Sequence, residues 1–178
     1  MMIADFSLMI GKQIINHQSA IRKGATMADL NFKVSTGEAS ITSTAKTVAT
    51  ITAPANQRVK IKGISIFGKG TSNTDTPVKV ELLRYASISG GTAGSVTTSK
   101  PDGDMGETVQ STIAGNYSAE PTYTTGVTEE TWEVHPQTGM SVYFPLHDEI
   151  KLKGGQGFAL RATSNQNETL SFNVLCEE

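Results

Sequence analysis

The chain of 178 residues carries a net charge of −2 and is 18% charged, against roughly 25% in ordinary domains. No basic field is present to attract a phosphate backbone, so nucleic acid is not expected as a partner. The length suits one domain with its own core, and a single cysteine, Cys176, leaves neither an internal disulfide nor a cysteine zinc site.

In residues 1–26 the apolar run from Met1 to Ile10 includes Asp5, and Lys12, Arg22 and Lys23 follow it. A secretory signal has its positive charge first, and a membrane helix needs about 20 apolar residues. Neither export nor a membrane anchor is expected. In "RKGATMADL", Lys-Gly-Ala can be encoded through AAGGAG, the purine run that bacterial ribosomes recognise, just before Met27. Residues 1–26 therefore read either as a translated leader or as an arm that packs on a partner subunit, and residues 27–178 as a single domain.

Beyond Leu30 helical periodicity is almost absent and apolar residues alternate. "KTVATITAPANQRVKIKGISIFGKG" opens with Val48 and Ile51, turns at Pro54-Ala55-Asn56 and alternates through Val59 and Ile61. The apolar parity then shifts to Ile64 and Ile66, which predicts a bulge at or near Gly63. "TPVKVELLRYA" puts Val78, Val80 and Leu82 on one face and Glu81, Leu83 and Tyr85 on the other, so this strand should be central or lie at a subunit contact.

Between Ser87 and Thr125 the pattern dissolves into a Gly-, Ser- and Thr-rich stretch. With little apolar surface to offset the entropy of ordering, it is expected to be a long surface excursion with one short strand or turn around Thr108–Ile113. Strands resume at "EETWEVH", "GMSVYFPL", "EIKLK", "GFALRAT" and "LSFNVLCE", separated by turn signals at Pro136–Gly139, His147-Asp148, Gly154-Gly155 and Ser164–Asn167. Eight or nine short strands predict an all-β, antiparallel two-sheet sandwich, most simply a jelly roll, with a closed barrel as the alternative.

No motif specifies catalysis, so no catalytic, cofactor-binding or metal-binding residue is assigned. Gly63–Gly70 reproduces G-x-x-x-x-G-K of a phosphate loop, but Gly70 replaces the magnesium-binding hydroxyl and no helix follows Lys69. Asp102, Asp104 and Glu107 are close together without calcium-loop spacing and read as solvated turn carboxylates, with weak calcium binding as the alternative. Asp148 and Glu149 are adjacent and point to opposite faces of an extended strand. His17, His135 and His147 lie far apart, and no G-x-S-x-G elbow accompanies them. Trp132 alternates with Val134 as a core anchor, and Cys176 reads as a small buried hydrophobe. Asn116 and Asn167 head glycosylation triplets that a bacterial cytosol leaves unmodified.

"ITAPANQRVKIKGISIFGKG", "TPVKVELLRYASISGGTAG", "AEPTYT", "TWEVHPQTG", "GGQGFALRAT" and an acidic final strand follow one another. In that order they resemble a group of small all-β proteins of tailed phages and prophages. The resemblance covers Thr47–Glu178 and carries no site residue. It implies a virion structural protein assembled in a bacterial host cytoplasm. A capsid decoration protein on the assembled shell is expected, partnered by the major capsid protein and by copies of itself, a trimer being favoured. The alternative is a tail or head-fibre component that binds a receptor or carbohydrate, for which Tyr117, Tyr123 and Tyr143 are the aromatic candidates. Clustered ligands for a cupin-like enzyme are missing from the sequence.

Overall fold

The computed structural model describes residues 30–70, 76–101 and 106–178, which form antiparallel β-structure without a helix. The strands are β1 (Asn31–Ile41), β2 (Lys46–Thr52), β3 (Val59–Gly68), β4 (Val78–Tyr85), β5 (Ser87–Ser89), β6 (Thr92–Gly94) and β7 (Thr97–Ser99). They continue as β8 (Thr112–Ala119), β9 (Thr122–Thr124), β10 (Val127–Val134), β11 (Met140–Tyr143), β12 (Ile150–Leu152), β13 (Gly157–Thr163) and β14 (Glu168–Glu177). Residues 1–26, with His17, and residues Asp102 and Asp104 lie outside the described residues.

Eight strands make the sandwich. One sheet runs β11-β3-β14-β1 and the other β10-β4-β13-β2, with β12 continuing beside β3 where β11 ends. Successive sandwich strands thus fall in alternate sheets except β4 and β10, which flank the insertion and pair with each other, and the resulting strand order in each sheet is that of two nested Greek keys. This is the predicted jelly roll. The core fills from both inner faces: Phe32, Val34 and Ile41 from β1, Phe172 and Val174 from β14, Leu82 from β4 and Phe158 and Leu160 from β13 are all buried.

The predicted bulge lies one residue from Gly63. Leu175 faces Gly63 while Cys176 faces Ile61, so Lys62 is the extra residue on β3. Its insertion shifts the buried set from Val59 and Ile61 to Ile64 and Ile66. A second bulge explains the Val48–Ile51 spacing, because the pairing of β13 slips between Leu160–Ala49 and Arg161–Thr47. Strand β4 is central, as its two-sided apolar pattern predicts, with β10 on one side and β13 on the other. Strand β1, which precedes the first predicted strand at Val48, is also a core strand.

The stretch from Ser87 to Thr125 corrects the expectation of a largely structureless excursion. It is an insertion between β4 and β10 containing five strands. β8 lies beside β2 with β6 outside it, and β7 lies beside β1, so the insertion covers the edges of both sheets on the same side of the sandwich. Strands β5 and β9 pair with each other, and Ile88 and Tyr123 from them pack on Leu83, Tyr85 and Ala159 on the outer face of β4 and β13. The predicted strand at Thr108–Ile113 is displaced to Thr112–Ala119. Apolar burial was the wrong test for this segment: ladder hydrogen bonds order it, and an unpaired sheet edge is the template that supplies them.

Candidate functional site

The outer faces of the two sheets differ. Tyrosine hydroxyls meet a row of β2 threonines: from the insertion Tyr123 with Thr47 and Tyr117 with Thr50 at 3.2 Å, and from β4 Tyr85 with Thr52 at 2.8 Å. Glu120 accepts from the Thr47 hydroxyl at 2.7 Å and also from the Thr47 backbone N–H. The Tyr85 and Tyr123 rings lie 5.4 Å apart at a tilt of 35°. Burial pushes both phenols up to about 12, with Glu120 adding to the shift on Tyr123. These side chains join segments of the fold, and their polar atoms are occupied by one another.

Among the described residues, nothing covers the outer face of the other sheet. Its register aligns side chains in rows across the strands. One row is Ser141 on β11, Ser65 on β3, Asn173 on β14, Ser35 on β1 and Thr97 on β7. The Ser141 hydroxyl donates to that of Ser65 at 3.0 Å, which fixes the two on one face. The neighbouring row is Tyr143, Gly63, Leu175 and Lys33. On the other side of Ser65 stands Phe67, opposite Ser171. Short side chains between longer ones leave a depression of about 230 Å³, bounded by Phe67 and Tyr143 and floored by Ser65 and Asn173.

Tyr143 is 69% exposed and Phe67 52% exposed, so both offer ring surface to an incoming molecule. Gly63 is what permits this arrangement. A Cβ at that position would lie 2.8 Å from the Tyr143 ring, so the ring rests on the bare backbone of its cross-strand partner. At one end of the face Glu177 accepts from Lys62 at 3.0 Å and is also paired with Lys60. Partial burial alone would raise its pKa, but these two lysines outweigh it and hold the carboxyl below the usual range.

The residues singled out in the sequence are mostly occupied structurally. Gly63–Gly68 is strand, and Lys69 beyond it pairs with Glu38. His135 sits in a turn, its Nδ1 accepting from the Gln137 N–H at 3.3 Å; the His147 N–H donates to the buried Glu149 carboxylate at 3.1 Å, while Asp148 is exposed. Glu107 is exposed, and its carbonyl accepts from Lys100. Trp132 is half-buried against the core, and Asn167 is exposed. The Asn116 amide donates to Thr36 and Ser95 carbonyls. Burial, with Glu178 beside it, raises the Cys176 thiol far above its ordinary value. Among the described residues no three His, Cys, Asp or Glu side chains are grouped as metal ligands would be.

Of the three tyrosines expected on an exposed face, only Tyr143 is there. Tyr117 is buried and Tyr123 half-buried where the insertion packs on the sandwich, and their hydroxyls meet partners on β2. Phe67 was not singled out in the sequence, although the shifted parity of Ile64 and Ile66 already puts it on the opposite face. No protein-family model matches this chain, and neither a curated protein nor a solved structure matches it.

Proposed function

We propose that the chain is a structural protein of a bacteriophage particle, a decoration subunit that binds and stabilises the assembled shell as a homo-oligomer, most simply a trimer. The observation that carries this reading is the pinned insertion. A five-strand insertion drawn onto one edge of each sheet and held by Glu120, Tyr117 and Tyr123 makes a braced β-brick suited to bearing load. A subunit that binds assembled shells and not free capsid protein draws the equilibrium toward the assembled state by mass action. The resemblance of Thr47–Glu178 to tailed-phage proteins supports the same setting.

Mass spectrometry of purified particles from a host carrying the gene tests the placement. The chain is expected in a fixed ratio to the major capsid protein, and its absence from particles ends the proposal. Added to undecorated shells, it should sediment with them and raise the temperature at which they open, while leaving unassembled capsid protein unbound.

A second reading, a tail or head-fibre component that contacts a receptor, is favoured by the exposed Tyr143 and Phe67 rings beside a polar floor. Labelling particles with antibody to the chain and imaging them separates head from tail.

A further inference from the structure

We propose that the outer face of the β11-β3-β14-β1 sheet is a binding groove for a linear, uncharged glycan lying across the strands. This inference deepens the receptor-binding reading and requires no particular position on a particle.

The row Ser141, Ser65, Asn173, Ser35 and Thr97 crosses five strands. Adjacent strands lie about 4.8 Å apart, so the row is about 19 Å long, the reach of a short oligosaccharide. Each hydroxyl both donates and accepts, and the Asn173 amide does the same through separate atoms. A sugar chain presents matching alternations of donor and acceptor along its length. The rings of Tyr143 and Phe67 stand at the side of this row and offer flat apolar surface to the C–H faces of pyranose rings. An amphipathic aromatic ring with few rotatable bonds gives contact area at low entropic cost.

Other occupants fit less well. A nucleic acid strand needs a line of cations, whereas Lys60 and Lys62 are paired with Glu177 and, among the described residues, Lys33 is the one cation lining the depression. An added peptide strand pairs along a sheet edge, whereas this row, with the depression at Ser65 and Asn173 near its middle, crosses the face at right angles to the strands. The core of a protein interface is apolar, whereas the row across this face is hydroxyl and amide, with the aliphatic Leu175 beside it.

The test uses the full chain on an array of neutral hexose and N-acetylhexosamine oligosaccharides of two to six units, followed by calorimetric titration of the best binder. Affinity is expected to rise with length until the row is filled and then level off. Tyr143→Ala and Asn173→Ala should each weaken binding about tenfold, equivalent to 1.4 kcal/mol. Leu146→Ala, which removes an exposed side chain outside the depression, should leave it unchanged. Thermal melting of each variant shows whether the fold is retained. If Tyr143→Ala does not fold, Phe67→Ala carries the same expectation.

No binding across the array overturns the proposal, as does binding that folded Tyr143→Ala and Asn173→Ala proteins retain in full. Conversion of an oligomer to a monomer by Tyr143→Ala, with no glycan bound by the unaltered chain, assigns the face to a second copy instead. The particle assays above are independent of each of these outcomes.

Discussion

The Tyr143 ring lies across Gly63, its partner on the neighbouring strand, and the Tyr85 ring lies across Gly157 in the same cross-strand relationship. A Cβ at Gly63 would come to 2.8 Å from the first ring, and one at Gly157 to 2.1 Å from the second. The two pairs have different freedom. Tyr143 is open to solvent and can swing aside, whereas Tyr85 is 1% exposed and its hydroxyl is bonded to Thr52.

Gly157→Ala should therefore destabilise the fold by about 1–3 kcal/mol through overpacking. Gly63→Ala should cost about 1 kcal/mol or less, since the displaced ring is at the surface. Urea denaturation of the two variants gives the comparison, and equal losses would show that Tyr143 is as constrained as Tyr85.

Glu120 is the polar clamp on the insertion. Glu120→Ala leaves the Thr47 N–H and hydroxyl without that carboxylate on a strand that is otherwise buried. The expected loss is about 1–3 kcal/mol. Limited proteolysis should cut first between Ser87 and Thr125, and a cleavage pattern unchanged from the wild type would show that the strand ladders alone hold the insertion.

Acid should weaken the fold through Glu177 and Glu81. Burial opposes ionisation of each, but Lys60 and Lys62 around Glu177, and Lys79 and Arg161 around Glu81, hold both folded pKa values below the ordinary 4.5. The stability they contribute is complete above 4.5 and is lost as pH falls through the lower folded values. Thermal melting between neutral pH and pH of about 2 should show this decline, with a flatter acid limb in Glu177→Gln. An acid limb identical to the wild type's would remove Glu177 from the account. Because the lysines are partly exposed, added salt should reduce the effect.

Cys176 should be inert toward thiol reagents in the native protein at mildly alkaline pH. It is 0% exposed in the last core strand, and burial disfavours its thiolate. Complete modification is expected only after unfolding in denaturant, and prompt reaction of the native protein would contradict the burial.

Much of the architecture was legible from local pattern. Alternation around Ile64 and Ile66 located β3 and its bulge, and the two-sided apolar content of "VKVELLRY" marked β4 as central. These features are local because side chains alternate with a period of two and an inserted residue reverses their faces. The long insertion was misjudged for the converse reason. Thr112–Ala119 has little apolar content of its own, and its order comes from β2, more than sixty residues earlier in the chain.

The candidate groove follows the same division. Residue types alone placed Tyr143 on a strand and made it available for stacking, since an aromatic residue in an alternating segment has that capacity wherever the strand lies. Which residues stand beside it was settled by register: Ser141, Ser65, Asn173, Ser35 and Thr97 come from five separate strands and meet in one row only when the jelly roll closes. The sequence by itself determined the sandwich strands from β2 onward outside the insertion, most turns and the antiparallel sandwich, because backbone geometry and burial act over a few residues. Tertiary structure decided which tyrosines are buried, where the insertion lies and which face is open, because those depend on hydrogen bonds between segments that chain order leaves far apart.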